Sequence, residues 1–269
     1  MAYTTDHRPR KRFGQHFLRD DGVIQHIVDE IHPQAGEHLI EIGPGEGVLT
    51  RVLERPDLEL DLVEIDRDLI AHLQEMFAGC EHLNIHEADA LKFDFSTLKR
   101  SGKPMRLVGN LPYNISSPLL LHLVKYADDI LDMHFMLQKE MVDRMAADVG
   151  GSNYGRFTVM MQYYFDIDSL FDVYPEAFKP PPKVMSAVVR VVPRATLLPL
   201  SDAKQFEELV KQAFSQRRKK IRNTLGQWFT AAEMADCGVN EADRPQQVPV
   251  KSYVNLSNAL SARQQEQTD

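Results

Sequence analysis

The stretch from His38 to Gly47 constrains the fold of this 269-residue chain more than any other. His38-Leu-Ile-Glu-Ile42 reads as a buried strand. It runs straight into Gly43-Pro-Gly45-Glu-Gly47, a turn in which glycine lets the backbone bend tightly and approach a ligand. A helix is expected near residues 47–55. Around this unit, the first two thirds of the chain alternate short apolar runs with amphipathic stretches, the pattern of a parallel sheet covered by helices. Val23, Ile27, Val28 and Ile31 give helical spacing over 20–31. Strands are expected at Leu58–Ile65, His82–His86 and Arg106–Gly109, with a helix over 67–77. Ser116-Ser117-Pro118 opens a further helix, and 131–138 and 185–193 read as later strands.

The pattern changes after Pro193. Phe206, Leu209, Val210, Ala213 and Phe214 fall on one helical face, and no later strand is evident. The expected organisation is therefore an α/β domain over 1–193, carrying a basic N-terminal arm, and a small all-helical domain over 194–269. Repeats and low-complexity tracts are absent. No apolar run approaches 18 residues, and MAYTTDHRPRKRF lacks the apolar core of a secretory signal. Cys80 and Cys237 lie far apart without metal-ligand spacing, and the ten histidines form no HExxH pair. A cytoplasmic protein with free thiols, no membrane partner and no metal is expected.

Glu64 ends the second expected strand, placed to accept hydrogen bonds from ribose hydroxyls. That much would also suit a dinucleotide. The loop, however, lacks the Gly-x-Gly-x-x-Gly spacing that seats a pyrophosphate, and Glu41 and Glu46 would repel a phosphate while suiting a zwitterionic or cationic ligand. Asp89 follows the third strand, where a carboxylate can accept from an adenine amine. Together these features resemble the class I, Rossmann-like methyltransferase fold. The resemblance implies S-adenosyl-L-methionine as cofactor, with Gly43 against its methionine part, Glu64 on the ribose and Asp89 on the adenine.

Asn110-Leu111-Pro112-Tyr113 follows the fourth strand. An adenine amine is a poor nucleophile because its lone pair is delocalised into the ring. A catalyst needs acceptors for the amine hydrogens, which draw the nitrogen towards tetrahedral geometry and aim the lone pair at a methyl donor. The Asn110 side-chain oxygen and a main-chain carbonyl at Leu111 or Pro112 can supply them. Pro112 stiffens the turn, and Tyr113 offers a face on which an extruded base can stack, worth ~1–3 kcal/mol.

Five ordered motifs carry a closer resemblance: FGQHFL (Phe13–Leu18), EIGPGEGVLT, VGNLPYNISSPLL, KPPPKVMSAVVRV (Lys179–Val191) and SQRRKKIRN (Ser215–Asn223). They look like those of the bacterial ribosomal RNA adenine dimethyltransferases. Such enzymes place two methyl groups on each of two adjacent adenosines near the 3′ end of small-subunit (16S) ribosomal RNA, in a late pre-30S particle. The resemblance implies cofactor contacts from His16, Leu18, Gly43, Glu64, Asp89 and Asn110, and a base-clamping role for Phe178. Two positions depart from the family pattern, His16 where Asn is usual and Met185 where Asp is usual.

Net charge is −8, but it is unevenly spread. Residues 20–178 carry 12 Lys/Arg against 29 acids, whereas 179–223 carry 11 against 3. Arg217, Arg218, Lys219, Lys220 and Arg222 form a dense basic run, expected on a helical segment and expected to contact RNA phosphates. Arg8, Arg10, Lys11 and Arg12 could add a second contact, while Gln216 and Trp228 read as local structure. The expected partner is small-subunit ribosomal RNA, bound by a monomer. The alternatives are a large-subunit ribosomal RNA adenine methyltransferase, and a non-catalytic ribosome-assembly factor on the same scaffold. A DNA adenine methyltransferase is disfavoured because no target-recognition insertion is visible.

Overall fold

The computed structural model describes residues 16–266. The N-terminal cations Arg8, Arg10, Lys11 and Arg12, and Phe13 to Gln15 of the first motif, lie outside the described residues. The elements run β1 (Phe17–Leu18), α1 (Asp21–Ile31), β2 (His38–Ile42), α2 (Thr50–Leu53), β3 (Glu59–Glu64), α3 (Arg67–Met76), β4 (Leu83–Glu87), β5 (Met105–Asn110) and α4 (Ser116–Leu123). They continue with β6 (Ile130–Gln138), α5 (Lys139–Met145), α6 (Arg156–Tyr164), β7 (Phe165–Val173), β8 (Phe178–Lys179) and β9 (Ser186–Pro193). Four helices follow: α7 (Ala203–Ala213), α8 (Arg222–Leu225), α9 (Ala231–Asp236) and α10 (Val250–Glu266).

Seven strands form one sheet in the order β4-β3-β2-β5-β6-β9-β7. From β4 to β6 the pairings are parallel, and β9 runs antiparallel to β6. The order reverses between β2 and β5: the chain first builds outward to β4, then returns to the other side of β2. In such sheets the crevice at this reversal, beyond the C-terminal strand ends, is where ligands bind. Every residue of β2 is buried, as a strand covered on both faces requires. α1 begins where Asp20 accepts from the Val23 N–H (3.0 Å), and it buries Ile24, Ile27 and Ile31.

The strands expected at 38–42, 58–65, 82–86, 106–109, 131–138 and 185–193 all form, within one or two residues. The helix expected over 47–55 is shorter. Gly43, Gly45 and Gly47 all have positive φ (67°, 60° and 74°), so the loop stays in turns and only Thr50–Leu53 is helical. Strand β7 and the helices over 139–164 have no counterpart in the sequence reading.

The chain divides into two compact units. One runs to Val142 and resumes over Ile167–Pro193; the other comprises Asp143–Asp166 and everything from Arg194. The expected boundary after Pro193 coincides with one crossing, but residues 143–166 belong with the helical unit and not with the sheet. Their apolar side chains decide this. Tyr154, Val159, Met160 and Tyr163 share a core with Phe206, Leu209, Val210 and Tyr253, and Tyr154 donates to the Val248 carbonyl (3.0 Å). The sheet unit has its own core, in which Leu39, Leu60, Leu62 and Val108 pack with Ile27, Leu53 and Leu73 from α1, α2 and α3. Among the described residues no helix is long and apolar enough to cross a membrane.

Candidate active site

The glycine loop is tied to β3 by a carboxylate. Glu64 accepts from the Ile65 and Asp66 N–H groups (2.8 and 2.9 Å) and, through its other oxygen, from Gly45 N–H (3.2 Å). Burial raises its pKa, those backbone donors oppose the rise, and the charge of Asp66 adds to it. Gly43 N–H donates to the Val63 carbonyl (2.9 Å), and a Cβ on Gly45 would stand 3.2 Å from the Phe17 ring at a φ of +60°. A side chain there would be strained in its backbone and crowded by the ring. Glu41 is 2% exposed and accepts from Thr50 Oγ1 (2.6 Å). Burial pushes its pKa to about 7, against the Thr50 hydrogen bond and with the help of the Glu64 charge. Glu46 pairs with Arg19 (2.5 Å). Asp89, beyond the end of β4, accepts from Leu91 N–H (3.0 Å) and keeps its side chain 33% exposed.

Asn110 is the last residue of β5. Its Nδ2 donates to the His16 carbonyl (3.0 Å), which leaves Oδ1 as an acceptor. The next two carbonyls differ. Pro112 O already accepts from Ile115 N–H and Ser116 Oγ (both 3.1 Å), whereas no donor to Leu111 O occurs among the described residues. Of the two carbonyls left open by sequence, Leu111 O is thus the one without a donor among the described residues. Tyr113 shares a hydrogen bond with Ser186 Oγ (2.7 Å), and its ring stacks on His16 at 5.7 Å between centroids and 28° between planes. Burial raises the Tyr113 pKa and the Ser186 hydrogen bond opposes the rise. His16 also bonds the Pro180 carbonyl through Nδ1 (2.8 Å).

His16, Leu18, Gly43, Glu64, Asp89, Asn110, Leu111, Pro112 and Tyr113 all line one cavity. Phe178 does not. It sits on β8 opposite Leu18, is 4% exposed and packs into the sheet unit's core, so no face of its ring is free to clamp a base. Three features escaped the sequence reading. Gly109 is required because a Cβ there would meet the Ile42 carbonyl at 2.4 Å. Ser186 anchors Tyr113. His134, on β6, lines the cavity while 2% exposed; the only signal for it was a polar residue inside an apolar strand. Nothing in the structure explains Met185 in place of a polar side chain; its main-chain carbonyl accepts from Lys139 N–H (2.9 Å).

The basic run lies in the helical unit, but mostly in a turn. Lys219 N–H closes onto the Gln216 carbonyl, and the N–H groups of Ile221 and Arg222 bond the carbonyls of Asp243 and Glu241 instead of continuing a helix. Only Arg222 is helical, at the start of α8. Arg217 donates to the Ser152 and Tyr154 carbonyls and Arg222 pairs with Glu241 (3.5 Å), so both have structural work. Arg218, Lys219 and Lys220 are exposed and make no ion pair among the described residues. Trp228 packs against the core of that unit, as local structure.

The family described as ribosomal RNA adenine dimethylase matches residues 6–262 of the chain. A protein of Pseudomonas fluorescens named ribosomal RNA small subunit methyltransferase A is 49% identical over 270 residues, all of both chains. Its namesake from Laribacter hongkongensis is 53% identical over 94% of this chain and 96% of that one. Among solved structures, a dimethyladenosine transferase from Plasmodium falciparum superposes with a TM-score of 0.76 at 24% identity, covering 93% of this chain and 98% of its own, which shows the fold. The 23S rRNA methyltransferase ErmE superposes at 0.72 with 27% identity, over 91% and 99%.

Proposed function

The chain belongs to the ribosomal RNA adenine dimethylase family, and on that premise we propose that it transfers methyl groups from S-adenosyl-L-methionine to N6 of two adjacent adenosines near the 3′ end of small-subunit (16S) ribosomal RNA. The observation that carries this reading is a pair of open acceptors, Asn110 Oδ1 and the Leu111 carbonyl, on consecutive residues of one cavity wall. An amine with two hydrogens is held by two such acceptors, and a neighbouring pocket of carboxylates suits a cationic donor.

The cavity's residues fit the cofactor. Glu64 retains lone pairs on its singly bonded oxygen for a ribose, Asp89 is exposed enough to accept from an adenine amine, and the positive-φ glycines remove side chains from the loop. When bound, S-adenosylmethionine supplies an electrophilic methyl group that needs no further activation. The protein's part is orientation. Asn110 is held by the His16 carbonyl, Pro112 by Ile115 and Ser116, and Tyr113 by Ser186 and the His16 ring. The acceptors are therefore fixed before substrate arrives, which lowers the entropic cost of reaching the reacting geometry. Tyr113 supplies the stacking face for an extruded adenine; Phe178 supports Leu18 from the core.

Arg218, Lys219 and Lys220 are the cations free to meet phosphates, with Arg217 and Arg222 holding the turn that presents them. The relatives at 49% and 53% identity carry the small-subunit name, against 27% for ErmE, and this favours the small subunit over the large. The reading extends to a late pre-30S particle as substrate, a monomeric enzyme and a cytoplasmic location. Incubating the protein with labelled S-adenosylmethionine and separately purified immature small and large subunits tests it. Label is expected in dimethyladenosine of the small subunit alone; label in the large subunit, or in neither, overturns it.

A further inference from the structure

His134 is a buried polar side chain of the cavity whose polar atoms are all left over. Glu41 is tied to Thr50, Glu46 to Arg19, Glu64 to three backbone N–H groups, Asn110 to His16 and Tyr113 to Ser186. His134 is 2% exposed, and neither ring nitrogen has a hydrogen-bond partner. The nearest carboxylate oxygen, on Asp132, is 3.8 Å from Nδ1 and already accepts from Arg106. A buried imidazole with both nitrogens unpaired is rare enough in native proteins to require a cause.

The strand register locates it. His134 pairs with Val108, Val108 pairs with Glu41, and Asn110 pairs with Met136. Registered residues of a parallel sheet share a face, so His134 and Glu41 belong to one row, and Asn110 to the next row towards the strand ends, about 6–7 Å further on. His134 is thus too deep for an amine held by Asn110 and Leu111, yet it lines the same space. We propose that His134 hydrogen-bonds the amino-acid end of the cofactor at the floor of the cavity.

This assignment rests on the cofactor reading above and deepens it. With the ribose on Glu64 and the adenine on Asp89, the polar group left over is the α-ammonium and α-carboxylate pair, which needs both a donor and an acceptor. Neutral imidazole is both. It stays neutral because burial, opposed by Asp132 and reinforced by Arg106 and Arg190, holds its pKa near 4. Glu41, in the same row, offers a second acceptor for the ammonium.

Calorimetric titration with S-adenosylhomocysteine and with 5′-methylthioadenosine, which keeps the nucleoside and thioether but lacks the amino-acid end, tests the assignment without any methyl transfer. In His134→Leu, affinity for S-adenosylhomocysteine is expected to fall about ten-fold or more while that for methylthioadenosine stays within about two-fold. His134→Asn, which restores a donor and an acceptor, should recover part of the loss. His134→Met carries the same comparison if the leucine variant does not melt cooperatively. Equal losses for both ligands, or no loss for either, overturn the proposal. Failure of the wild type to bind S-adenosylhomocysteine would overturn the cofactor reading itself, a separate result.

Discussion

At the N-terminal ends of the strands, Arg106 is held by both oxygens of Asp132 (2.9 Å each), by Glu37 (2.6 Å) and by the Ile31 carbonyl (2.6 Å). Nearby, Asp61 meets His38, His86 and Arg100 at 2.5–3.1 Å. Further along the same strands, where they line the cavity, Glu41 has one hydroxyl for company and neither ring nitrogen of His134 has a hydrogen-bond partner. Burial pushes the pKa of both carboxylates up, yet Asp61 ends well below the carboxylate range because its three cationic or donor neighbours outweigh burial, whereas Glu41 ends near 7. One end of the sheet is electrostatically closed. The other is incomplete on its own, as a site shaped for a charged ligand should be.

The sharpest way to break this contrast is to open the closed end. Asp132→Ala leaves the Arg106 guanidinium with only Glu37 and the Ile31 carbonyl and should cost about 3–4 kcal/mol in chemical denaturation. A loss below 1 kcal/mol would remove the claim that this end is where stability is concentrated.

Glu41 gives the next largest effect, with opposite pH logic. Its folded pKa, about 7, lies above the unfolded value of 4.5, so the folded state holds the proton more tightly. Its contribution is fully present below about pH 4.5 and is lost as pH rises through 7, on the order of 3 kcal/mol in total. Stability measured from pH 4.5 to 8 should flatten by that amount in Glu41→Gln. An identical pH profile would show that Glu41 is ionised in the fold.

Asn110→Ala should lower methyl transfer about 100-fold, comparable to removing one preorganised hydrogen-bonding group from an active site, while shifting the denaturation midpoint little. Equal incorporation by variant and wild type would take the catalytic role from Asn110. Smallest is the surface cluster. Replacing Arg218, Lys219 and Lys220 together by Ala should weaken RNA binding and reduce the slope of log affinity against log salt by about 2–3. Replacing Arg217 should instead lower stability, through the Ser152 and Tyr154 carbonyls it holds.

The parallel core of the sheet was legible because each strand is an apolar run bounded by turn residues, and burial on both faces leaves no other use for such runs. The cavity's outline was legible for a different reason: loop, acid and Asn-Leu-Pro-Tyr each sit at a strand end, and the topology collects those ends. What the sequence hid depends on which surface a residue meets. Residues 143–166 could join either unit until Tyr154 and Tyr163 found their partners. Phe178 looked like a recognition aromatic until its pairing with Leu18 buried it. The five cations looked alike until carbonyls claimed Arg217 and Glu241 claimed Arg222. Glu41 and His134 were visible as letters, but their protonation is a property of burial.

The short pairing of β1 with β8 bears on how the site comes into being. Phe17 and Leu18 are held by Lys179 and Phe178, and His16 by Pro180, 164 residues downstream. Contacts that distant close late, because the loop between them must be ordered first. A nascent chain that has emerged only through β6 can possess the glycine loop, Glu64 and the tetrad, yet it lacks the anchor that keeps His16 against Asn110 and Tyr113. The wall of the cavity that carries His16 is therefore completed only by residues 178–180, so a chain cut short before Pro180 is expected to bind the cofactor more weakly than the whole chain, a difference that titration of the truncated protein would measure.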